Sequence, residues 1–354
     1  MIMKTISKDK FIIMSSSCKV VDGKFRGVII DYLRRELFYI NKEYCSLFKF
    51  IDRKKIIDIE QQMENKESIE HLHHFLSFLF KKELAFTTDD VTLFPRISEM
   101  HRQSPCSINN CILTINTDRF ELDTFFAICK ELEYVNCFEV QIRIVGTRWI
   151  EMIQYICETL SQHGVRYLEI VCKHDVNIKN KLNEFVTNIP LLSRIFVFNA
   201  ETNIVKEVSN NKHGDKKLTY GEIFYTQAHY DPVNSCGIIN KQSLDFSSIH
   251  AYHKYRTVNG CLYKKVSINE IGEVKNCPSQ SKSFGNIKNT SLREIIQSQE
   301  FTQLWYITKD AIEHCKDCEL RYCCSDCRIF IENPNNIYSK PIRCNYNIKH
   351  STWI

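Results

Sequence analysis

Seven cysteines in the last third of this chain follow a fixed spacing, which restricts the fold more than any other feature of the sequence. Cys261 and Cys277 bracket Gly272 in the pattern C-x10-G-x4-C. The others form C-x2-C-x5-C-x2-C followed by a single late residue, and they are Cys315, Cys318, Cys324, Cys327 and Cys344. Two cysteines separated by two residues can turn both thiolates toward one metal centre, and soft thiolates select iron–sulfur clusters or zinc.

Zinc is the alternative to iron–sulfur for such cysteines. A four-cysteine zinc site usually joins two C-x2-C pairs that are separated by about a dozen residues or more. Here only five residues separate the two pairs, which leaves little room to fold both onto one tetrahedral ion. Seven cysteines also suit two four-ligand clusters with one ligand missing. The spacing therefore favours clusters, and structural zinc stays open.

The composition excludes several classes of protein. The net charge is only +5 and basic residues are interspersed with acidic ones, unlike the concentrated basic face that binds nucleic acid. No stretch approaches the roughly 18 apolar residues of a membrane span, and the apolar run at 11–14 is too short for a signal peptide. We therefore expect a cytoplasmic protein with neither a nucleic-acid nor a membrane partner. In that reducing compartment, 17 cysteines are not a disulfide framework.

The chain divides into three regions, and the first two differ in their patterns of predicted strands and helices. Residues 1–85 combine β-rich runs, broken at Asp22-Gly23 as in a hairpin, with an amphipathic helix around His71–Phe80. Residues 105–235 alternate strand-like runs with helical segments, one of which ends on Gly164. Such alternation predicts parallel strands with crossover helices, and only about four or five units fit. We expect a partial βα barrel or an open sheet.

The third region, residues 236–354, carries the ordered cysteines. It contains a predicted hairpin between Cys261 and Cys277 and one predicted helix over 290–310, with Thr290 or Ser291 as N-cap. The sequence as a whole predicts an α/β protein, in which a partial βα barrel follows a small N-terminal α+β module and precedes a cysteine-rich domain.

The cysteine region resembles the SPASM domain, which binds auxiliary iron–sulfur clusters in peptide-modifying radical SAM enzymes. The resemblance is carried by the hairpin, by FGNIKNTSLREI, by CKDCELRYCCSDC and by Cys344. More closely, KVSINEIGEVKNCPS, KDAIEHCKDCELRYCCSDCR and RCNYN resemble the peptide maturases of grasp-with-spasm systems. In those systems the maturase is encoded beside an ATP-grasp ligase and a short precursor. The resemblance thus implies biosynthesis of a ribosomally made, modified peptide (a RiPP), with precursor peptide and ATP-grasp ligase as partners.

The resemblance also implies one or two [4Fe–4S] clusters and their ligands. The first cluster is held by Cys315, Cys318, Cys324 and Cys344. The second is held by Cys261, Cys277 and Cys327, with a fourth ligand expected shortly before Cys261. That stretch is HAYHKYRTVNG here and has no cysteine. The alternatives are an open iron or a ligand from Cys236, His250 or His253.

The spacing departs from the family at one more point. The gap between Cys324 and Cys327 is one residue shorter than the family's usual gap. Cys323 would restore that gap but would shift the irregularity to the preceding one. We therefore favour Cys324 as the ligand and treat Cys323 as its neighbour.

The motif of radical SAM catalysis is missing. Family enzymes carry C-x3-C-x2-C after the first barrel strand, where three thiolates leave one iron free for S-adenosylmethionine. The candidate first strand is Cys111–Asn116, and the following TDRFELDTF has no cysteine. Cys106 and Cys111 are poor substitutes because they precede or begin that strand, and Val145-Gly146-Thr147 matches the family's glycine-rich stretch weakly. S-adenosylmethionine is therefore not an expected cofactor, and whether the chain is an enzyme stays open.

Residues 1–85 resemble, in their hairpin and helices, the winged-helix-like PqqD module that captures a leader peptide as an added strand. An unspecialised cap on the barrel is the alternative. His229, Tyr230 and Asp231 are candidates for the peptide site. Asp89 and Asp90 are explained by a turn or a helix cap. The three histidines on the predicted helix, His71, His73 and His74, are explained as solvent-facing or partly buried side chains.

Three functions therefore compete. The first is a peptide maturation protein that acts on a ribosomally made precursor with an ATP-grasp ligase, its clusters stabilising the fold and shaping the peptide site. The second is a radical SAM-type enzyme with an atypical S-adenosylmethionine site. The third is a zinc-stabilised peptide-binding scaffold without redox chemistry.

Overall fold

The computed structural model describes residues 7–96, 105–175, 178–210, 218–236 and 239–354. The chain divides into two compact units, each built from separate segments. The first unit contains residues 1–102, 238–260 and 306–354, and the second contains 103–237 and 261–305. This grouping by contacts differs from the three regions predicted from sequence, 1–85, 105–235 and 236–354, because the cysteine-rich region is shared between the two units.

The first unit begins with antiparallel strands. β1 (Phe11–Met14) pairs with β5 (Ala85–Thr88), and a three-stranded sheet has the order β2 (Cys18–Asp22), β3 (Arg26–Asp31) and β4 (Glu36–Asn41). The predicted hairpin at Asp22-Gly23 is confirmed, since β2 and β3 pair across it and the Gly23 amide donates to the Arg26 carbonyl at 3.0 Å. A Cβ at Gly23 would lie 2.6 Å from that carbonyl oxygen, so the turn requires glycine.

Three helices cover this part of the unit, namely α1 (Glu43–Ile51), α2 (Ile56–Gln61) and α3 (Lys66–Lys81). The predicted amphipathic helix is confirmed as α3, whose buried stripe at helical intervals is Leu72, Phe75, Leu76 and Leu79. His73 is partly buried beside Glu60, and His71 and His74 are exposed. Asp90 caps a short 3-10 turn by accepting from the Thr92 amide at 2.8 Å, as the capping prediction required.

The remaining segments of the first unit carry the late cysteines. They contain α7 (Ile249–Thr257), β14 (Tyr346–Asn347), β15 (Thr352–Trp353) and two 3-10 turns, at Cys315–Asp317 and Arg321–Cys323. One core joins these segments to the N-terminal sheet, because Val28 and Ile30 of β3 pack in the same buried cluster as Leu320 and Tyr346. The cysteine loops are therefore packed directly against the N-terminal strands.

The second unit is built on an eight-stranded sheet. In chain order its strands are β6 (Asn110–Asn116), β7 (Glu139–Val145), β8 (Tyr167–Lys173), β9 (Leu192–Phe198), β10 (Ile204–Asn210), β11 (Leu218–Tyr225), β12 (Lys265–Ile268) and β13 (Val274–Lys275). Their order in the sheet is β10-β11-β9-β8-β7-β6-β12-β13, and all neighbours are parallel except the two edge pairs. The predicted α/β fold is confirmed as a large, mostly parallel sheet.

The crossover helices are α4 (Leu122–Tyr134), α5 (Trp149–Gln162) and α6 (Lys179–Asn188). Gly164 lies beyond the end of α5 with φ of 86°, which is the left-handed conformation expected of the predicted stop. None of the helices in the described ranges is long and apolar enough to cross a membrane.

The cysteine hairpin adds to the same sheet, since β12 pairs in parallel with β6. Beyond it, the single helix predicted over 290–310 is wrong. The chain forms α8 (Leu292–Gln297), then α9 (Gln299–Thr302), because Ser298 between them has extended backbone with ψ of 128°. The predicted N-cap is confirmed, as Ser291 and Glu294 form a capping box. The interruption accompanies the burial of Phe301 and Trp305, whose ring centroids lie 5.7 Å apart.

Candidate functional site

Four cysteines line one cavity in the first unit, and they are Cys315, Cys318, Cys324 and Cys344. Cys315 begins one 3-10 turn and Cys318 follows its end, so that a tight turn directs both thiols to the same space. Cys324 follows the second turn. Apolar side chains form much of the remaining wall, among them Leu244, Leu320 and Trp353. The cavity gathers the four residues that the resemblance implied as one ligand set.

Backbone amides donate to several of the late thiols. The Leu320 amide donates to Cys318 Sγ at 3.4 Å, and the Phe330 amide donates to Cys327 Sγ at 3.5 Å. Burial raises the pKa of the Cys324 thiol to about 11, even though the charge of Lys309 opposes that shift. A thiol in this environment ionises only when a positive centre stabilises its thiolate. Amide donors and a desolvated set of thiols suit an iron–sulfur cluster, which supplies such a centre.

Cys323 and Cys324 have different surroundings although they are adjacent. Cys323 is fully buried, and its thiol donates to the Leu320 carbonyl at 3.2 Å. Cys323 belongs to the buried core that joins the loops to β3, whereas Cys324 is only partly buried against that core and also lines the cavity. The two residues therefore differ in their surroundings, and the choice of Cys324 as the ligand stays a prediction.

A buried ion pair fixes the short gap before Cys327. Asp326 has a φ of 65°, a left-handed conformation that aspartate tolerates better than most residues. Its carboxylate binds Arg328 at 2.8 Å and accepts from the Asn259 amide at 2.8 Å. Both members of the pair are at most 1% exposed in their side chains. The turn at Asp326 lets a two-residue gap lead from Cys324 to Cys327.

Three further cysteines come together in the second unit, namely Cys236, Cys261 and Cys277. A hydrogen bond from the Cys277 thiol lowers the pKa of Cys236, and the charge of Arg143 acts in the same direction against the opposing effect of burial. Lys265 Nζ donates to Cys261 Sγ at 3.6 Å, and Arg143 Nη2 lies 4.0 Å from Cys236 Sγ. Two cationic side chains thus face a group of three thiols.

The other predicted ligands of the second cluster belong to the first unit. These are Cys327 and the alternatives His250 and His253, both of which lie on α7. Across the described ranges, no three His, Cys, Asp or Glu side chains converge closely enough to hold a single metal ion. The ligands of a cluster stand around a cavity, as the four thiols of the first unit do.

Arg143 and Lys265 were missed by the sequence interpretation. Arg143 lies among apolar residues of β7 and is 3% exposed. A charged residue inside a strand whose neighbours predict burial was the signal that could have identified it. Lys265 opens the short β12 four residues after Cys261, and no pattern in the sequence distinguishes it from neighbouring lysines.

The loop after β6 has no cysteine, and it is hydrogen-bonded to the loop after β7. Asp118 accepts from the Thr147 amide at 3.0 Å and from its hydroxyl at 3.1 Å. Gly146 has a φ of 97°, and a Cβ there would lie 2.8 Å from the Asp118 carboxylate. Cys111 is fully buried in β6, and burial raises the pKa of its thiol well above the ordinary value. It therefore has the character of a core thiol.

The three residues considered for a peptide site hold the end of the sheet in place. The Tyr230 hydroxyl donates to the Ile144 carbonyl at 2.6 Å. Asp231 Oδ1 accepts from the amides of Val233 at 2.8 Å and Asn234 at 3.0 Å, and His229 lies beside Asn199. These contacts shape the loop that ends at Cys236.

Residues 261–319 match the family model of the SPASM iron–sulfur cluster-binding domain. This match confirms that the chain contains a SPASM domain in its C-terminal part. The matched segment includes Cys261, Cys277, Cys315 and Cys318, and it runs through the end of one unit into the other. A comparison with curated proteins gives no significant match.

Several solved structures are similar at low identity. SuiB from Streptococcus suis bound to S-adenosylmethionine is 11% identical, with 94% of this chain and 99% of that chain covered and a TM-score of 0.37. SuiB bound to the precursor peptide SuiA is 10% identical, with 93% of this chain and 98% of that chain covered and a TM-score of 0.36. Native anSMEcpe with bound AdoMet is 10% identical, with 65% of this chain and 92% of that chain covered and a TM-score of 0.39. Similarity at this level transfers no site. The expectation that S-adenosylmethionine is not a cofactor gains no support from these comparisons.

Proposed function

We propose that this protein is a cytoplasmic iron–sulfur protein of peptide maturation, which binds a ribosomally made precursor peptide. The observation that carries the proposal is the gathering of four thiols around one cavity, namely Cys315, Cys318, Cys324 and Cys344, of which the first two lie in the segment that matches the SPASM domain. A [4Fe–4S] cluster bound by these thiols would supply a redox centre and would cross-link the loops. The chain's own residues supply the thiolates, amide donors to sulfur and a desolvated wall.

A second cluster belongs to the same proposal. Cys261 and Cys277 are the ligands that the second unit supplies. Lys265 beside Cys261 offsets part of the negative charge that two or more thiolates bring into the protein. Together the seven cysteines of the sequence pattern would serve two clusters.

The N-terminal strands are the proposed binding place for the precursor's leader. A groove of about 670 Å³ is lined by β1, by β2 and by side chains that include Phe86, Phe94 and Arg53. Within the described residues, β2 pairs with β3 on one side only. A peptide strand added to β2 would gain main-chain hydrogen bonds, while the aromatic rings would take its apolar side chains.

An ATP-grasp ligase is the proposed partner. This part rests on the resemblance of KVSINEIGEVKNCPS and RCNYN to grasp-with-spasm maturases. The absence of C-x3-C-x2-C from the sequence gives the protein no recognisable radical site, so we assign it peptide binding and cluster redox roles rather than radical chemistry.

Metal analysis after strictly anaerobic purification tests the proposal. We expect about eight iron and eight acid-labile sulfide per chain for two clusters, with a brown chromophore that dithionite bleaches. Stoichiometric zinc without sulfide would favour the scaffold, and a colourless, metal-free and fully folded protein would overturn the cluster assignment.

Incubation of the reduced protein with S-adenosylmethionine is the accompanying assay. Cleavage above the background of the unreduced protein would favour the atypical radical enzyme.

Peptide binding is tested separately. Short peptides encoded next to this gene are the probes, and their affinity is measured by fluorescence anisotropy with the intact protein. We expect Phe94→Ala to weaken binding about tenfold because it removes a ring from the groove, whereas Tyr155→Ala, at an exposed ring of the second unit, should leave it unchanged. Equal affinities for both variants and the wild type would exclude the groove as the leader site.

A further inference from the structure

Arg143 is a buried cation whose partners are unusual. Its side chain lies on β7 and the residue is 3% exposed. Nη1 donates to the Pro232 carbonyl at 2.7 Å, Nε donates to Gln141 Oε1 at 3.2 Å, and Nη2 reaches Cys236 Sγ at 4.0 Å. In the part of the chain that the structure describes, no ion pair joins Arg143 to a carboxylate. Its acceptors are neutral apart from the sulfur.

A guanidinium keeps its proton at any accessible pH, so Arg143 is a permanent charge. A buried charge without an opposite charge is strongly destabilising, and neutral acceptors offset only part of the desolvation. The sulfur within reach of Arg143 Nη2 is that of Cys236. Arg143 is therefore placed to offset the charge of a metal-bound thiolate at Cys236.

The loop that carries Cys236 is held from two directions. On the β7 side, the carbonyls of Pro232 and Val233 accept from Arg143 Nη1 at 2.7 and 3.4 Å. On the hairpin side, Ser279 Oγ donates to the Val233 carbonyl at 2.8 Å, two residues after Cys277. The loop is thereby fixed next to Cys277, with which the sulfur of Cys236 shares a hydrogen bond.

We propose that Cys236 ligates an iron of the cluster bound by Cys261 and Cys277, and that Arg143 positions this ligand and offsets its charge. The proposal rests on the cluster-binding function proposed above. It assigns the fourth ligand to a residue 25 positions before Cys261, in place of an open iron, His250 or His253. Lys265 Nζ donates to Cys261 as Arg143 Nη2 donates to Cys236, so a cation lies beside each of these two thiols.

Iron content of cysteine variants tests the ligand. With the anaerobically purified full chain, Cys236→Ala should lower iron and sulfide from about eight to about four per chain, because one cluster is lost. Cys172→Ala is the matched control, as it removes a buried thiol from β8 in the same unit, and it should keep full iron. His253→Ala should keep full iron as well. Wild-type iron in Cys236→Ala would overturn the ligand assignment, whereas a wild-type protein without iron would overturn the proposed function itself.

The reduction potential tests Arg143. Removal of a positive charge beside a cluster makes its reduction harder, so Arg143→Gln should retain iron and shift one of two potentials to a lower value in an anaerobic titration followed by electron paramagnetic resonance. Arg143→Lys keeps the charge and should lie between Arg143→Gln and the wild type. Equal potentials in the three proteins would overturn this role. Should the glutamine variant fail to fold, the shift between Arg143→Lys and the wild type decides the point, and identical potentials in that pair contradict it.

Discussion

Arg26 Nε donates to Glu319 Oε1 at 2.6 Å, which joins the N-terminal hairpin to the loop between Cys318 and Cys324. The Glu319 side chain is 1% exposed, and the Tyr346 hydroxyl also donates to it. Two hydrogen bonds to backbone carbonyls reinforce the joint, since the Lys24 amide donates to the Asp317 carbonyl at 2.8 Å and Arg321 Nη1 donates to the Asp22 carbonyl at 2.7 Å. The proposed peptide module and the first cluster site are thus mechanically linked within one unit.

Glu319→Gln should weaken this joint. The change leaves the partly buried Arg26 without its counter-ion, for which roughly 3 kcal/mol of unfolding free energy is expected. Urea unfolding of the anaerobic protein measures the loss. Glu332→Gln removes one partner of an exposed pair with Lys340 and should cost less than about 1 kcal/mol. Equal effects of the two variants would contradict the importance of the Arg26–Glu319 pair.

Cys323→Ala and Cys324→Ala should separate a core thiol from a cluster ligand. Cys324→Ala should lose one cluster, or about four iron per chain, because its thiol faces the cavity. Cys323→Ala should keep all the iron and lose only about 1–2 kcal/mol of stability, through a small void and the lost bond to the Leu320 carbonyl. Iron and sulfide analysis measures the loss of the cluster, and urea unfolding measures the loss of stability. Loss of iron in Cys323→Ala alone would reverse the assignment.

Much of the central sheet was predictable because its signals are local. The strands β6 to β9 and the helices α4 and α5 each show their own periodicity, and Gly164 marks an end. The gathering of Cys315, Cys318, Cys324 and Cys344 was implied by the family resemblance, and only the two-residue gap between Cys315 and Cys318 is a local signal for it.

What could not be predicted depends on contacts between distant segments. The pairing of β12 with β6 brings residues about 150 positions apart together and divides the cysteine region between two units. The approach of Arg143 to Cys236 arises in the same way, from the folding of a loop onto a strand. The break at Ser298 has no proline or glycine to announce it, since tertiary packing of Phe301 and Trp305 overrides a continuous helical pattern.

Stability should fall in alkaline solution because many core thiols must stay neutral. Burial raises the pKa of Cys172 to about 12, against about 8.5 for an unfolded thiol. The unfolded chain therefore loses its proton first, and the stability that this thiol contributes is complete below about pH 8.5 and is lost as the pH rises toward 12. Between pH 7 and pH 10, Cys172→Ala should lose roughly 2 kcal/mol less unfolding free energy than the wild type. Urea unfolding at the two pH values measures this difference. Equal losses of unfolding free energy in Cys172→Ala and the wild type would contradict the raised pKa of Cys172.

Gly146→Ala should destabilise the second unit more than Gly164→Ala does. Both glycines have positive φ, so each substitution carries a conformational cost of about 1–2 kcal/mol. A Cβ at Gly164 meets no atom within 4 Å, whereas one at Gly146 would lie 2.8 Å from the Asp118 carboxylate, which adds about 1–3 kcal/mol for overpacking.

Thermal or urea unfolding of the two glycine variants measures the difference, and a double-mutant cycle assigns it. Asp118→Ala in the Gly146→Ala background should recover part of the extra cost, because it removes the carboxylate that the new methyl group meets. An additive double variant would place the strain elsewhere and would contradict close packing between the loops after β6 and β7.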